Sequence, residues 1–256
     1  MVLKFSKYQG TGNDFILIDN RQSAFQKSDD LIKRLCDRKF GIGADGLILI
    51  EEHPDLDYRM VYFNADGTQS LCGNGSRCGF AFAKSLGMVS QNARFETTDG
   101  IHEIKEEGGI IYFGFSPIEN TIEEIGDDKY LDTGSPHYIR IVEDVDGVDV
   151  FSEGRDIRNL SAYSSQNGTN VNFAQLLPKG VKMRTYERGV EDETLSCGTG
   201  ATAVALVASQ LGLKSPVKLE TKGGTLSVSF ELKDGFFENI WLAGPAEKVF
   251  EGTVAI

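Results

Sequence analysis

The sequence predicts a mixed α/β fold made of two pseudo-symmetric halves, each with a central helix wrapped by mostly antiparallel strands. Three observations carry this. A glycine-rich cysteine motif occurs twice, as "SLCGNGSRCG" at 70–79 and "LSCGTGATA" at 195–203, with Cys72 and Cys197 lying 125 residues apart in a chain of 256. Short runs rich in β-branched and aromatic residues alternate with turn residues, the pattern of strands. Each cysteine motif also runs on into small and apolar residues that close at a glycine, the pattern of a helix and its C-cap.

The repeat extends beyond the cysteines. "ARFETTDGIHEI" from Ala93 aligns with "PVKLETKGGTLSV" from Pro216, setting Glu96 on Glu220, Thr97 on Thr221 and Gly100 on Gly224 at an offset of 124. "GTGND" around Thr11 aligns with "DTGSP" around Thr133 at an offset of 122. Three motifs in one order at nearly one spacing indicate an internal duplication. The expected boundaries are an N-terminal half, 1–118, carrying Cys72, and a C-terminal half, 119–256, carrying Cys197.

In the first half, "DFILIDN", "DGLILIEE", "YRMVYFN", "RFETT" and "IIYFGF" read as strands. "SDDLIKRLCDR" reads as a helix, with Ser and Asp as caps and an apolar face of Leu31, Ile32, Leu35 and Cys36. Cys36 is expected in the core, because a thiol behaves there as a small hydrophobe. "GSRCGFAFAKSLG" is a helix closing at Gly87. Cys78 falls about a turn and a half beyond Cys72 and is also expected in the core, and Arg77 receives no functional role. In the second half "ATAVALVASQLG" is apolar on nearly every side and ends at Gly212, which is a buried helix.

Composition narrows the partners. The chain is 40% hydrophobic and 25% charged, close to a globular average, with a net charge of −12. Such a surface attracts neither nucleic acid nor anionic membranes. No apolar run is long enough to cross a bilayer, and "MVLKFSKYQG" lacks the apolar segment of a signal peptide, so a cytoplasmic protein is expected. Four cysteines are too few for a disulfide scaffold in a chain of this length. The Cys72 to Cys78 spacing matches no common zinc site, and no metal is expected.

A Cys-Gly-x-Gly helix start has a specific chemistry. The glycines leave backbone N–H groups uncovered. These groups and the helix dipole attract an anion and lower the pKa of a thiol at the same place. Two such helix starts brought around one substrate carboxylate would set a thiolate on one face of the α-carbon and a thiol on the other. One sulfur removes the α-proton and the other returns one from the opposite face, which inverts the centre, while the N–H groups stabilise the charge that develops. Glycine-rich turns also start ordinary helices, so a single copy carries little weight. A thiol–disulfide switch between Cys72 and Cys197 is the alternative from another class, although redox pairs usually lie close in sequence.

With both motifs in view, the chain resembles the diaminopimelate epimerases nearly end to end. The resemblance rests on "GTGNDF" at 10–15, "FGIGADG" at 40–46, "FNADGTQSLCGNGSRC" at 63–78, "GTNVNF" at 168–173 and "YERGVEDETLSCGTGA" at 186–201. It implies the diaminopimelate epimerase-like fold and a cofactor-independent, two-base interconversion of LL- and meso-2,6-diaminopimelate for lysine and peptidoglycan precursors. It implies Cys72 and Cys197 as acid and base, His137 assisting one and Glu187 the other. Substrate contacts fall on Asn13, Asn64, Gly73, Asn74, Asn170, Glu187, Arg188, Gly198 and Thr199. It further implies a homodimer, no pyridoxal phosphate, and a C-terminal strand near 247–256 returning to the first half. Read from the residues alone, His137 is equally a structural histidine after a Gly-Ser-Pro turn; His53 and His102 are expected in polar, exposed positions. Some family members carry Gln in place of Gly46 and Asn in place of Ser135, so part of the recognition must come from water or a neighbour. A proline- or hydroxyproline-type racemase is the alternative within the same chemistry.

Overall fold

The structure, a computed structural model, describes residues 2–23, 25–166 and 168–256, the side chains of 164–166 excepted. The chain divides into two compact units, Met1–Gly114 with Gly244–Ile256, and Phe115–Ala243.

In the first unit β1 (Val2–Gly10) forms a hairpin with β2 (Asn13–Asp19), Gly10 opposite Asn13. Strand β3 (Gly46–Glu51) lies parallel to β2, and the crossover is α1 (Asp29–Cys36). The helix starts where the sequence indicates: Ser28 Oγ accepts the Leu31 N–H, acidic residues fill the first turn and basic residues the last, and Ile32, Leu35 and Cys36 face inward. Strand β4 (Tyr58–Asn64) returns antiparallel to β3, and α2 (Gly73–Ser85) then crosses to β5 (Asn92–Thr97), parallel to β4. Strands β6 (Gly100–Glu107) and β7 (Ile110–Gly114) complete a meander.

The second unit repeats this order. After the short strands β8 (Ile118–Glu119) and β9 (Glu123–Ile125), β10 (Asp128–Asp132) and β11 (Pro136–Ile141) form the hairpin. Helix α3 (Val150–Arg158) crosses to β12 (Asn170–Leu177), parallel to β11 with His137 opposite Asn170. Strand β13 (Gly180–Glu187) returns antiparallel, β14 (Asp192–Thr194) folds back onto it, and α4 (Gly198–Gln210) crosses to β15 (Val217–Thr221), parallel to β13. Strands β16 (Gly224–Lys233) and β17 (Phe236–Gly244) form the closing meander. Finally β18 (Glu247–Ala255) pairs antiparallel with β1 in the first unit, Val2 opposite Ala255.

The duplication therefore appears in topology, and it reaches the backbone angles. Gly12 and Gly134 have φ of 85° and 89°, and Gly100 and Gly224 have 134° and 140°. Each unit has its own core. In the first, Ile16, Leu35, Leu47 and Phe63 cluster with Val254 and Ile256 of the last strand. In the second, α4 is buried from Gly198 to Ala208 and packs against Leu219, Val228 and Leu242. Each Val or Leu so covered contributes about 1.5–3 kcal/mol, and burial on every side of α4 reflects a helix surrounded by strands. Among the described residues no helix is long and apolar enough to cross a membrane.

Two expectations are corrected. His102 is buried, not exposed: on β6 it points inward two residues before Ile104, its ring 4.9 Å from that of Phe113. Its nitrogens lie 3.0 Å from an Asp99 carboxylate oxygen and 3.1 Å from the Gly114 carbonyl, so burial leaves neither without a partner. His53 is half-buried, its Nδ1 accepting the N–H groups of Asp55 and Leu56.

Candidate active site

Cys72 and Cys197 hold the same structural position in their units. Each is the N-cap of the second crossover helix, with extended φ, ψ of −135°, 107° and −124°, 118°. Each carbonyl accepts the N–H four residues on at 2.8 Å, from Ser76 and Ala201. Gly73 and Asn74 occupy the first turn of α2, Gly198 and Thr199 that of α4, where a helix cannot satisfy its own N–H groups. An anion is favoured at such a place.

Around Cys72 a chain of amides has one allowed orientation. Asn13, at the start of β2, donates from Nδ2 to an Asp45 carboxylate oxygen at 2.6 Å. Its Oδ1 therefore faces the Cys72 sulfur, at 3.6 Å, and accepts from Asn74 Nδ2 at 3.3 Å. Asn74 Oδ1 in turn accepts from Arg77 Nη2 at 2.9 Å, and a guanidinium can only donate. The Gly75 N–H donates to the Cys72 sulfur at 3.3 Å. Arg77 is fully buried, which lowers its pKa to about 10 and still leaves it a cation at neutral pH. The other end of the chain is anchored by charge as well. Arg38 bridges Asp14 and Asp45, and Lys7 reaches Asp14 at 2.6 Å. Burial raises the Asp14 pKa, but hydrogen bonds from Arg38 and Lys7 outweigh it and hold the carboxyl down at about 2.

Asn64 belongs to a separate set of bonds at the end of β4, donating to Thr68 Oγ1 at 3.0 Å and Ser70 Oγ at 3.2 Å. Its backbone pairs with Gly46. A Cβ at Gly46 would lie 2.5 Å from both the Phe63 carbonyl oxygen and the Tyr62 ring, and 2.9 Å from the Tyr62 hydroxyl. Tyr62 fills the space that a side chain at 46 needs, so any larger residue here would have to displace β4.

Around Cys197 the partners differ. Thr199 Oγ1 is 3.5 Å from the sulfur and 3.0 Å from Nε2 of His137, which is fully buried on β11. Burial, with the Arg188 charge nearby, holds the imidazole down at about 3, so it is neutral. Asn170 donates to Ser135 Oγ at 2.9 Å and to the Pro136 carbonyl, and its Oδ1 accepts the Arg188 N–H at 3.0 Å. Ser135 thus joins the group directly. The Arg188 guanidinium donates to the Gly168 carbonyl at 3.3 Å, and the Glu187 carboxylate accepts the Thr194 hydroxyl at 2.9 Å. The remaining cysteines are chemically quiet. Cys36 is buried and its thiol is pushed up to about 12, and burial drives Cys78 higher still.

The structure thus gathers Asn13, Cys72, Gly73 and Asn74 in the first unit, and His137, Cys197, Gly198 and Thr199 in the second, with Asn170 and Arg188 joined to each other. Among the participants not anticipated are Asp45, Arg77 and Asn172, the last with its Nδ2 3.2 Å from His137 Nδ1. Asp45 and Asn172 sit inside the quoted motifs "FGIGADG" and "GTNVNF", and Asn172 shares the face of Asn170 by the two-residue period of a strand. Arg77 carried a signal too, a charge set among glycines and small residues near the start of α2, away from the Lys84 of its last turn.

Comparison with solved structures defines the class first. A phenazine biosynthesis protein of the PhzF family from Bacillus anthracis superposes with a TM-score of 0.77 at 17% identity, covering 100% of both chains. A hydroxyproline epimerase from Agrobacterium vitis superposes with 0.71 at 13%, covering 100% of this chain and 93% of the other. The fold is therefore the duplicated α/β fold those proteins share. The family model for diaminopimelate epimerase matches residues 5–113 and 129–249. A diaminopimelate epimerase of Flavobacterium psychrophilum is 48% identical over 98% of this chain and 100% of its own, and one of Aquifex aeolicus is 40% identical over 99% and 98%. The chain belongs to the diaminopimelate epimerase family, and is an isomerase of the amino-acid epimerase class.

Proposed function

We propose that the protein interconverts LL- and meso-2,6-diaminopimelate by a cofactor-independent two-base mechanism, in the supply of lysine and peptidoglycan precursors. The observation that carries this reading is the equivalence of Cys72 and Cys197: the same N-cap, on the same helix of a duplicated topology, each in a set of polar side chains. One cysteine, as thiolate, takes the α-proton and becomes a thiol. The electron pair left on carbon delocalises into the α-carboxylate. The other cysteine gives its proton to the opposite face and is left as the thiolate, so each turnover exchanges the two protonation states.

The binding roles follow from residue type. The N–H groups of Gly73, Asn74, Gly198 and Thr199 receive the reacting carboxylate and stabilise its added charge. Asn13, Asn64, Asn170, Glu187 and Arg188 recognise the ammonium groups and the distal carboxylate, for which amides, a carboxylate and a guanidinium are suited. His137 assists Cys197 through Thr199, and Glu187 acts as the acidic partner in the family's assignment. The working form is a homodimer in the cytoplasm.

The test is incubation with LL-diaminopimelate in deuterium oxide under reducing conditions, following α-deuterium and meso product. Appearance of both is expected, and replacing Cys72 or Cys197 by Ala should abolish epimerisation. Exchange into proline but not diaminopimelate would favour a proline-type racemase. No exchange into either would sink the reading, as would full activity in either alanine variant.

A further inference from the structure

Asn172 is buried on β12, and its neighbours leave its amide one orientation. One end lies 3.1 Å from the Tyr138 carbonyl oxygen, which can only accept, so that end is Nδ2. At the other end Oδ1 accepts the Thr185 hydroxyl at 3.0 Å. The same Nδ2 is 3.2 Å from His137 Nδ1. With one N–H on the carbonyl, the second points at the ring, and the ring nitrogen that receives it carries no proton. A neutral imidazole then has its single proton on Nε2, aimed at Thr199 Oγ1 3.0 Å away. The Thr199 hydroxyl accepts that bond and keeps its own proton to give. The Cys197 sulfur lies 3.5 Å from it.

We propose that Asn172 is a positioning residue of the epimerase: by fixing His137 as the Nε2–H tautomer, it turns the Thr199 hydroxyl into a donor to Cys197 and so favours the thiolate there. The proposal rests on the acid/base reading of Cys197. It also explains the second glycine of "CGTG". A Cβ at Gly200 would lie 2.6 Å from Asn172 Oδ1 and 3.3 Å from His137 Cε1, so only glycine lets the helix start sit over the amide–imidazole pair. The charged group that faces the imidazole is Arg188, which further disfavours an imidazolium.

Two substrate-free measurements test this. In protein labelled with 15N-histidine, the His137 resonances, assigned by their loss in His137→Gln, should show a proton on Nε2 and none on Nδ1 at neutral pH. Asn172→Asp should move a proton onto Nδ1. A wild-type ring protonated at Nδ1 overturns the proposal. Alkylation of Cys197 by iodoacetamide, followed in a Cys72→Ser background, should be roughly tenfold slower at neutral pH in Thr199→Val, the loss of one hydrogen bond to a charged group. It should recover in Thr199→Ser. Adding Asn172→Asp to Thr199→Val should slow it no further, because both act through one hydroxyl. An unchanged rate in Thr199→Val, or additive losses, refutes the relay. If Asn172→Asp does not fold, the wild-type spectrum and the Thr199 pair decide. Failure of deuterium exchange would count against the epimerase reading and leave these readouts intact.

Discussion

His137 shows how one buried residue shapes both chemistry and stability. Its imidazole is held at about 3 in the folded chain by burial and by Arg188, whereas an unfolded histidine titrates near 6.5. Below about pH 6.5 the unfolded chain therefore takes up a proton that the native chain refuses, so stability falls as pH drops from there toward 3. Replacing His137 by Gln removes that difference. Thermal unfolding measured from pH 7 to pH 4 should show a shallower decline of Tm in His137→Gln than in the wild type; equal slopes would contradict the assignment. At this scale the two cysteine helix starts were legible because each sits in a local motif repeated down the chain. The contacts among the polar residues around them were not. Asn172 meets His137 across 35 residues of sequence, and Arg77 meets the Pro245 carbonyl across 168. A motif names such residues without saying what they touch.

Helix starts were the most readable elements, since caps and glycines act over a few residues: Ser28 before α1, the cysteines before α2 and α4. Strands β1 and β6 were less evident. Lys4, Lys7 and Gln9 interrupt the one, and His102, Glu103 and Lys105 the other. Each gains its strand character from neighbours on both sides, β1 from β2 and β18, β6 from β5 and β7. Element packing also decides Gly46, at the start of β3, where Tyr62 and the Phe63 carbonyl of β4 leave no room for a methyl. Gly46→Ala should cost about 1–3 kcal/mol through overpacking, read as a lower urea midpoint with an unchanged slope. A midpoint equal to that of the wild type would show that β4 yields freely.

At the scale of the whole chain, the last strand belongs to the first unit. Gly252 lies against the Phe5 ring, Phe250 meets the same ring edge-on at 5.9 Å, and Val254 and Ile256 pack on the first unit's core. A chain ended after residue 243 should therefore lose amide protection in β1 and β2 while Phe115–Ala243 keeps its own. Hydrogen exchange by mass spectrometry checks this, and uniform loss in both units would refute it. The duplication itself needed no coordinates: offsets of 125, 124 and 122 between motifs give two halves, two cysteine helix starts and the chemistry those starts favour. Sequence alone could do this because caps, glycines and hydrophobic periodicity act over a few neighbouring residues, and a repeat copies them together. Tertiary structure alone decided which distant groups meet: Arg77 with Pro245, Asn172 with His137, β18 with β1. Those pairings come from burial, which obliges every enclosed donor and acceptor to find a partner wherever in the chain one lies.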